Sequence, residues 1–209
     1  MALVAKPFGL APQRTTDANF FSEQGTFYSL AAADANAWYI GDAFLSTNNA
    51  DANGLPAMKK ATVGTETLRG VMLGNINPPP GQVTLQGISL ALENTAIPAS
   101  KNSVVYYILG ADDAGIVFTI QDDGITTGSL VAANANKNFS LTITNGATLQ
   151  SNSASVMLSS SLATTAGLNM KAMGLAQTSW QGQTNAFGGF GLWLCKINQH
   201  EFMGNTAGV

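Results

Sequence analysis

The sequence predicts an all-β protein, a sandwich or barrel of short strands preceded by an extended N-terminal arm. From Ala37 onward, short runs of β-branched and aromatic residues alternate with clusters of Gly, Asn, Asp and Pro, the pattern of strands and turns. No stretch sustains a 3.6-residue apolar period long enough for a sizeable helix. Over the first 36 residues, four of the ten phenylalanines are scattered among Pro, Gln, Thr and Gly with no sustained period at all.

In chain order, residues 1–36 read as the arm and 37–209 as the β domain. An aromatic ring buries roughly 150–250 Å² when docked, so the arm either wraps its own domain or, through Phe8, Phe20, Phe21, Phe27 and Tyr28, docks on a neighbouring protomer or partner. Candidate strands follow at 37–45, 68–74, 83–91, 103–109, 115–121, 138–144, 154–160 and 190–198. In 138–144, Phe139, Leu141 and Ile143 alternate with Ser140, Thr142 and Thr144, as in a half-buried antiparallel strand. Residues 46–58, rich in Asn and Asp with Gly54 and Pro56, read as a long exposed loop. The stretch 75–81 contains three prolines, which remove three ladder donors and make it a connector. Gly-Ala-Asp-Asp-Ala-Gly between Leu109 and Ile116 predicts a hairpin joining 103–109 to 115–121.

Composition narrows the function. Only 10% of the 209 residues are charged, against about 25% in an ordinary soluble domain, so the surface is built from small neutral polar groups and favours contact with other protein. Nine basic residues against twelve acidic, with no basic cluster beyond Lys59-Lys60, argue against nucleic acid as a partner. One cysteine, Cys195, excludes an internal disulfide and a multi-thiolate zinc site. Lys6 and Pro7 interrupt the apolar run a signal peptide needs, and no apolar segment approaches the roughly 20 residues of a membrane span. No membrane partner and no cofactor is expected.

The residues able to carry chemistry favour structural roles. Cys195 and the lone His200 are five apart, so on one strand they face opposite ways, and the thiol reads as a small core hydrophobe in the run Phe190 to Ile197. The doublets Asp112-Asp113 and Asp122-Asp123 are the candidates for calcium binding or paired-carboxylate hydrolysis. They flank a strand of roughly 23 Å, too long for both to serve one ion or one bond. Each is soon followed by glycine, Gly115 and Gly124, as in ordinary turns. The glycine-rich Phe187 to Gly191 precedes a strand, not a helix, which excludes a phosphate cradle. Trp180 is the aromatic nearest the Ser/Thr/Asn-rich segments and the candidate for sugar contact.

Several stretches, in order, resemble the head decoration or capsid-stabilising proteins of tailed bacteriophages. Tyr39-Ile40-Gly41-Asp42 looks like that family's first strand, and Leu68-Arg69-Gly70-Val71-Met72-Leu73-Gly74 like its arginine-glycine-valine strand. Val105-Tyr106-Tyr107-Ile108, Asp112-Asp113 and Val117-Phe118-Thr119-Ile120-Gln121-Asp122 are similar to its tyrosine-rich strand, double-aspartate turn and following strand. Trp193 to His200, then Gly208-Val209, resembles its closing pattern. Ala114 stands where the family has proline, and the arm aligns with nothing in it. The resemblance implies a jelly-roll-like antiparallel β sandwich, made in the bacterial cytoplasm and carried on the outer surface of the virion, without catalytic residues. Its implied partners are the major capsid protein and further copies of itself, as a trimer at three-fold positions or alternatively a dimer at two-fold positions. A carbohydrate- or receptor-binding β module of a tail fibre or spike is the other class compatible with the composition, and a two-carboxylate hydrolase a third.

Overall fold

The computed structural model describes residues 4–17, 19–21, 25–30, 33–76, 96–100, 105–125, 131–146, 151–177, 179–180 and 183–203. The strands are β1 (Ala11–Thr15), β2 (Thr26–Leu30), β3 (Ala43–Ala50), β4 (Pro56–Lys60), β5 (Gly70–Ile76), β6 (Tyr106–Ala111), β7 (Ile116–Gln121), β8 (Asn138–Phe139), β9 (Leu141–Thr142), β10 (Val156–Met157), β11 (Met170–Leu175), β12 (Ser179–Trp180), β13 (Gln183–Thr184) and β14 (Leu192–Ile197). Two single-turn 3-10 helices interrupt them, at Ala132–Asn134 and Ser159–Ser161. The all-β class predicted from the sequence is what the chain adopts.

Two layers form. One is a closed barrel in the order β2-β4-β3-β5-β6, in which β2 pairs antiparallel with β6 and parallel with β4. The other is a five-stranded sheet in the order β1-β7-β14-β11-β8, antiparallel throughout. Alternation along the barrel strands sorts their side chains between two cores. Phe44 and Met72 point into the barrel with Tyr28, Leu30, Trp38, Met58, Ile97 and Ile108, whereas the adjoining Ala43 and Val71 belong to the core shared with the sheet. There the barrel supplies small groups, Ala43, Ala61, Val71 and Ala111, and the sheet supplies large ones, Phe118, Phe139 and Trp193, all three fully buried. Small facing large lets the two layers approach closely, and each large apolar side chain so buried contributes about 1.5–3 kcal/mol.

Much of the described part of 4–30 is built into the two layers. β1 forms the edge of the sheet beside β7, and β2 closes the barrel. Upstream of β1, the Lys6 amide donates to Gln121 Oε1 (2.8 Å), and Gln121 Nε2 donates back to the Val4 carbonyl (3.0 Å). The chain then crosses itself at Gly41 (φ 88°), where a Cβ would lie 2.6 Å from the Phe8 carbonyl oxygen. The misleading signal has a physical cause. β1 is half-buried along most of its length and so shows no alternation.

The expected hairpin between 103–109 and 115–121 does not form. The turn chemistry is present, since Asp113 Oδ1 accepts the Gly115 amide (2.6 Å) and the Asp113 carbonyl accepts that of Ile116 (3.1 Å). The turn instead carries the chain from β6 in the barrel to β7 in the sheet. Both strands are buried along nearly their whole length, so neither has the solvated face that fixes a hairpin partner.

The segment 46–58 is also corrected, from exposed loop to the outer half of a β3–β4 hairpin. Its tip is a turn in which Asp51 Oδ1 accepts the amides of Asn53 and Leu55, both at 2.9 Å. β3 runs from buried at Ala43 to exposed at Ala50, and its outer half carries no apolar pattern. The half-buried alternation expected over 138–144 is only partly found: Phe139 and Leu141 are buried and Ile143 packs against the same core, but Asn138 and Ser140 are buried too, and the ladder breaks at Ser140 into β8 and β9. The expected strand 83–91 and residues 77–81 of the proline connector lie outside the described residues.

Candidate interaction surface

An apolar groove of about 650 Å³ runs along β1, between the barrel and the sheet. Phe8, Leu10, Pro12 and Phe20 line one wall, Ile40, Met72 and Leu73 another, and Leu192 and Leu194 the floor side contributed by β14. Arg14 is the one charged side chain among the described lining residues. Phe20 sits on a short return of the chain after β1, held by the Phe21 amide to the Gln13 carbonyl (3.1 Å) and the Thr15 amide to the Asn19 carbonyl (2.9 Å). Its ring is 91% exposed, the most exposed large apolar side chain described.

The five aromatic residues expected to make contacts therefore separate. Phe8 and Phe20 meet at the groove. Phe21 packs against the shared core, and Phe27 is half-buried on β2. Tyr28 is fully buried inside the barrel, so it is a core residue and not a docking residue. Leu192, Leu194, Met72 and Leu73 were not legible as groove residues, because each lies in a strand whose other neighbours are buried.

The aspartate doublets hold the fold together at separate places. Asp112 accepts from the Tyr28 hydroxyl and from Thr26 Oγ1 (3.0 Å), and lies 3.6 Å from Arg69 Nε. Burial, with the Asp112 carboxylate beside it, pushes the Tyr28 hydroxyl up to about 12. Arg69 also approaches Glu201 Oε2 (3.4 Å) and stacks 3.7 Å from the Phe202 ring centroid, while Glu201 takes both the Ser46 amide and hydroxyl at 2.7 Å. This network latches the turn after β14 onto the barrel. Asp122, 1% exposed, accepts the amides of Gly124 (2.8 Å), Phe190 (2.6 Å) and Gly191 (2.8 Å). The Phe190 ring lies over Gly124, where a Cβ would stand 2.1 Å from it. Asp123 clamps the amide and hydroxyl of Ser159 (3.2 and 2.6 Å). Each doublet thus ties chain segments together through amides and hydroxyls.

Cys195 is fully buried in β14, and burial pushes its thiol well above the usual range, which leaves it unreactive. His200 lies after the strand's end, where its Nδ1 accepts the Phe202 amide (3.1 Å) and burial lowers its pKa below 6.5. Protons therefore bind the unfolded chain first, so the stability this residue contributes is complete above about pH 6.5 and is lost as the pH falls through the lowered folded value. The stability difference between the parent and His200→Gln, measured by urea unfolding, is expected to shrink from about pH 7.5 to pH 5. A difference independent of pH would show that His200 titrates as an ordinary histidine.

A buried ion pair stands apart from these networks. Lys60, at the end of β4, places its Nζ 2.6 Å from Asp42 Oδ2, with side-chain exposures of 4% and 0%. The same nitrogen donates to Asn145 Oδ1 (2.8 Å) and to the Ala37 carbonyl (3.2 Å), and lies 5.2 Å from the Tyr39 ring centroid. Asp42 Oδ2 also accepts the Tyr39 amide (2.9 Å), and burial raises the carboxyl's pKa. Nothing in the sequence distinguishes Lys60 from its exposed neighbour Lys59 except its parity along the strand.

No family model, curated protein or solved structure matches the chain. No helix among the described residues is long and apolar enough to cross a membrane.

Proposed function

We propose that this chain is a head decoration protein of a tailed bacteriophage, a non-enzymatic component that binds the outside of the assembled capsid and strengthens contacts between major capsid protein subunits. The ordered motifs from Tyr39 to His200 suggest the class. The observation that carries the docking mode is the apolar groove beside β1 with Phe20 exposed at its rim. An aromatic anchor at the edge of a preformed apolar cleft is the kind of group that dominates protein interfaces. The sparse charge of the surface leaves few ions to desolvate on contact. Such a protein stabilises a shell only through tighter binding to the mature form than to its precursor. A homotrimer, with each protomer on a different capsid subunit, multiplies a weak contact through effective concentration.

Phe20→Ser tests the docking mode. The ring is exposed, so folding stability is expected to stay within about 0.5 kcal/mol of the parent. Binding to heads lacking the protein, followed by co-sedimentation, is expected to weaken at least about tenfold, as for loss of an interface anchor. Unchanged head binding would overturn the groove as the docking face. A few copies per purified particle, instead of a simple ratio to the major capsid protein, would overturn decoration itself in favour of a tail module.

A further inference from the structure

The geometry points to an autocatalytic amide cross-link between Lys60 Nζ and the side-chain carbonyl carbon of Asn145, with Asp42 as its proton-transfer group. The observations are the three side chains gathered on one nitrogen. Lys60 Nζ is 2.8 Å from Asn145 Oδ1, and the carbon to be attacked lies at most one carbonyl bond, about 1.23 Å, farther away. A small rotation of the amide brings amine and carbon to the roughly 3–3.5 Å of a near-attack arrangement. Asp42 is fully buried on the same nitrogen at 2.6 Å. Its other oxygen, Oδ1, makes no hydrogen bond of ordinary geometry among the described residues, and the Ser153 hydroxyl lies beside the carboxyl group. A buried carboxyl oxygen without a full partner is suited to carry a proton, and burial favours the neutral acid there.

The chemistry balances without any co-reactant. The Lys60 ammonium passes one proton to the Asp42 carboxylate and becomes a neutral amine. The amine lone pair attacks Asn145 Cγ, forming the new carbon–nitrogen bond, while the Asp42 acid hydrogen-bonds the carbonyl oxygen as charge develops on it. A second proton leaves the attacking nitrogen through Asp42 for Asn145 Nδ2, the Cγ–Nδ2 bond breaks, and ammonia departs. Of the three ammonium protons, one stays on the new amide nitrogen, one completes the ammonia and one remains on Asp42. The site is built for this sequence of events. Lys60 and Asp42 are shielded from water, whereas Asn145 is exposed, which opens a path for ammonia to escape and makes the step irreversible. The bond would join the end of β4 to the chain following β9, positions 85 residues apart.

Intact-mass spectrometry of the purified full chain tests this directly. The parent is expected to be lighter than its sequence mass by one ammonia. Tryptic digestion is expected to leave the bond after Lys60 uncut and to release one branched peptide containing both Lys60 and Asn145. Lys60→Arg, Asn145→Ala and Asp42→Asn are each expected to show their full sequence mass. A parent at its full sequence mass overturns the proposal, whatever the variants do. So does an ammonia loss that persists in Lys60→Arg, because Asn145 precedes Gly146 and cyclisation onto the Gly146 amide nitrogen gives the same mass change without Lys60.

Discussion

In an Asn145→Ala background, which keeps Lys60 an ammonium, replacing Asp42 with alanine is expected to destabilise the fold by about 3–5 kcal/mol, the usual result of stripping the partner from a buried charge. Lys60 is 4% exposed, so its ammonium cannot turn to water without opening the barrel end of β4. The one remaining acceptor, the Ala37 carbonyl, is neutral and offsets little of that charge. The double variant Lys60→Met/Asp42→Leu removes both charges together and is expected to recover most of the loss, since apolar groups of similar size replace a desolvated pair at little cost. Urea unfolding of the three proteins measures this, with the midpoints compared at unchanged slope. A double variant as weak as Asp42→Ala would show that packing, and not the uncompensated charge, sets the loss.

Asp122→Ala is expected to be damaging too, at about 2–3 kcal/mol, because one buried and two part-buried amide donors lose their acceptor together and an unpaired buried donor costs about 1–3 kcal/mol. Those donors belong to Gly124, Phe190 and Gly191, so the approach to β14 is left tied to the end of β7 by the Asp122 amide to the Gly191 carbonyl (3.0 Å) and Gln121 Nε2 to the Phe190 carbonyl (3.2 Å). Asp122→Asn separates acceptor geometry from charge. Its single carbonyl oxygen can keep the Gly124 and Phe190 amides on Oδ1, but an NH2 group then faces the Gly191 amide, donor against donor. Amide hydrogen exchange is expected to speed up at Gly191 in Asp122→Asn and at all three positions in Asp122→Ala. Protection unchanged at Gly191 in Asp122→Asn would contradict the assigned pairing.

How much of this could be read from the sequence depended on how many faces of each strand are buried. β5, β7 and β14 were legible because runs of β-branched and aromatic residues stand between clear turn signals, and Cys195 was legible as a core residue for the same reason. β1 and the outer half of β3 were not, since a half-exposed edge or hairpin tip leaves no apolar trace, and both ladders are broken by a shift of register, at Pro12/Arg14 and at Ser46/Ala50. The Asp112–Gly115 turn was recognised by its chemistry, yet a turn specifies a change of direction and not the partner found afterwards. That partner was fixed by burial of β6 and β7 on both faces, a long-range property. For the interaction surface, Phe8 and Phe20 were visible as aromatic residues in search of burial, whereas Tyr28 shares their composition signal and is already satisfied inside the barrel. The Lys60–Asp42–Asn145 group was invisible, because its members come from the approach to β3, the end of β4 and the chain after β9, and no local pattern links positions so far apart.

Strand order sets the timetable of synthesis. Every barrel strand lies between Thr26 and Ala111, so a nascent chain carrying these residues already has all the pieces of that layer. The sheet cannot be completed then. β14 occupies its centre, between β7 and β11, and is the last of the described strands to be made. At roughly 5–20 residues per second of elongation, the ribosome holds β1–β7 and β8–β11 as two half-sheets for several seconds, each with an open edge that invites pairing with other chains. Insertion of Leu192–Ile197 closes both edges in one event, so a chain terminated before Leu192 keeps a barrel-forming sequence and two sticky half-sheets.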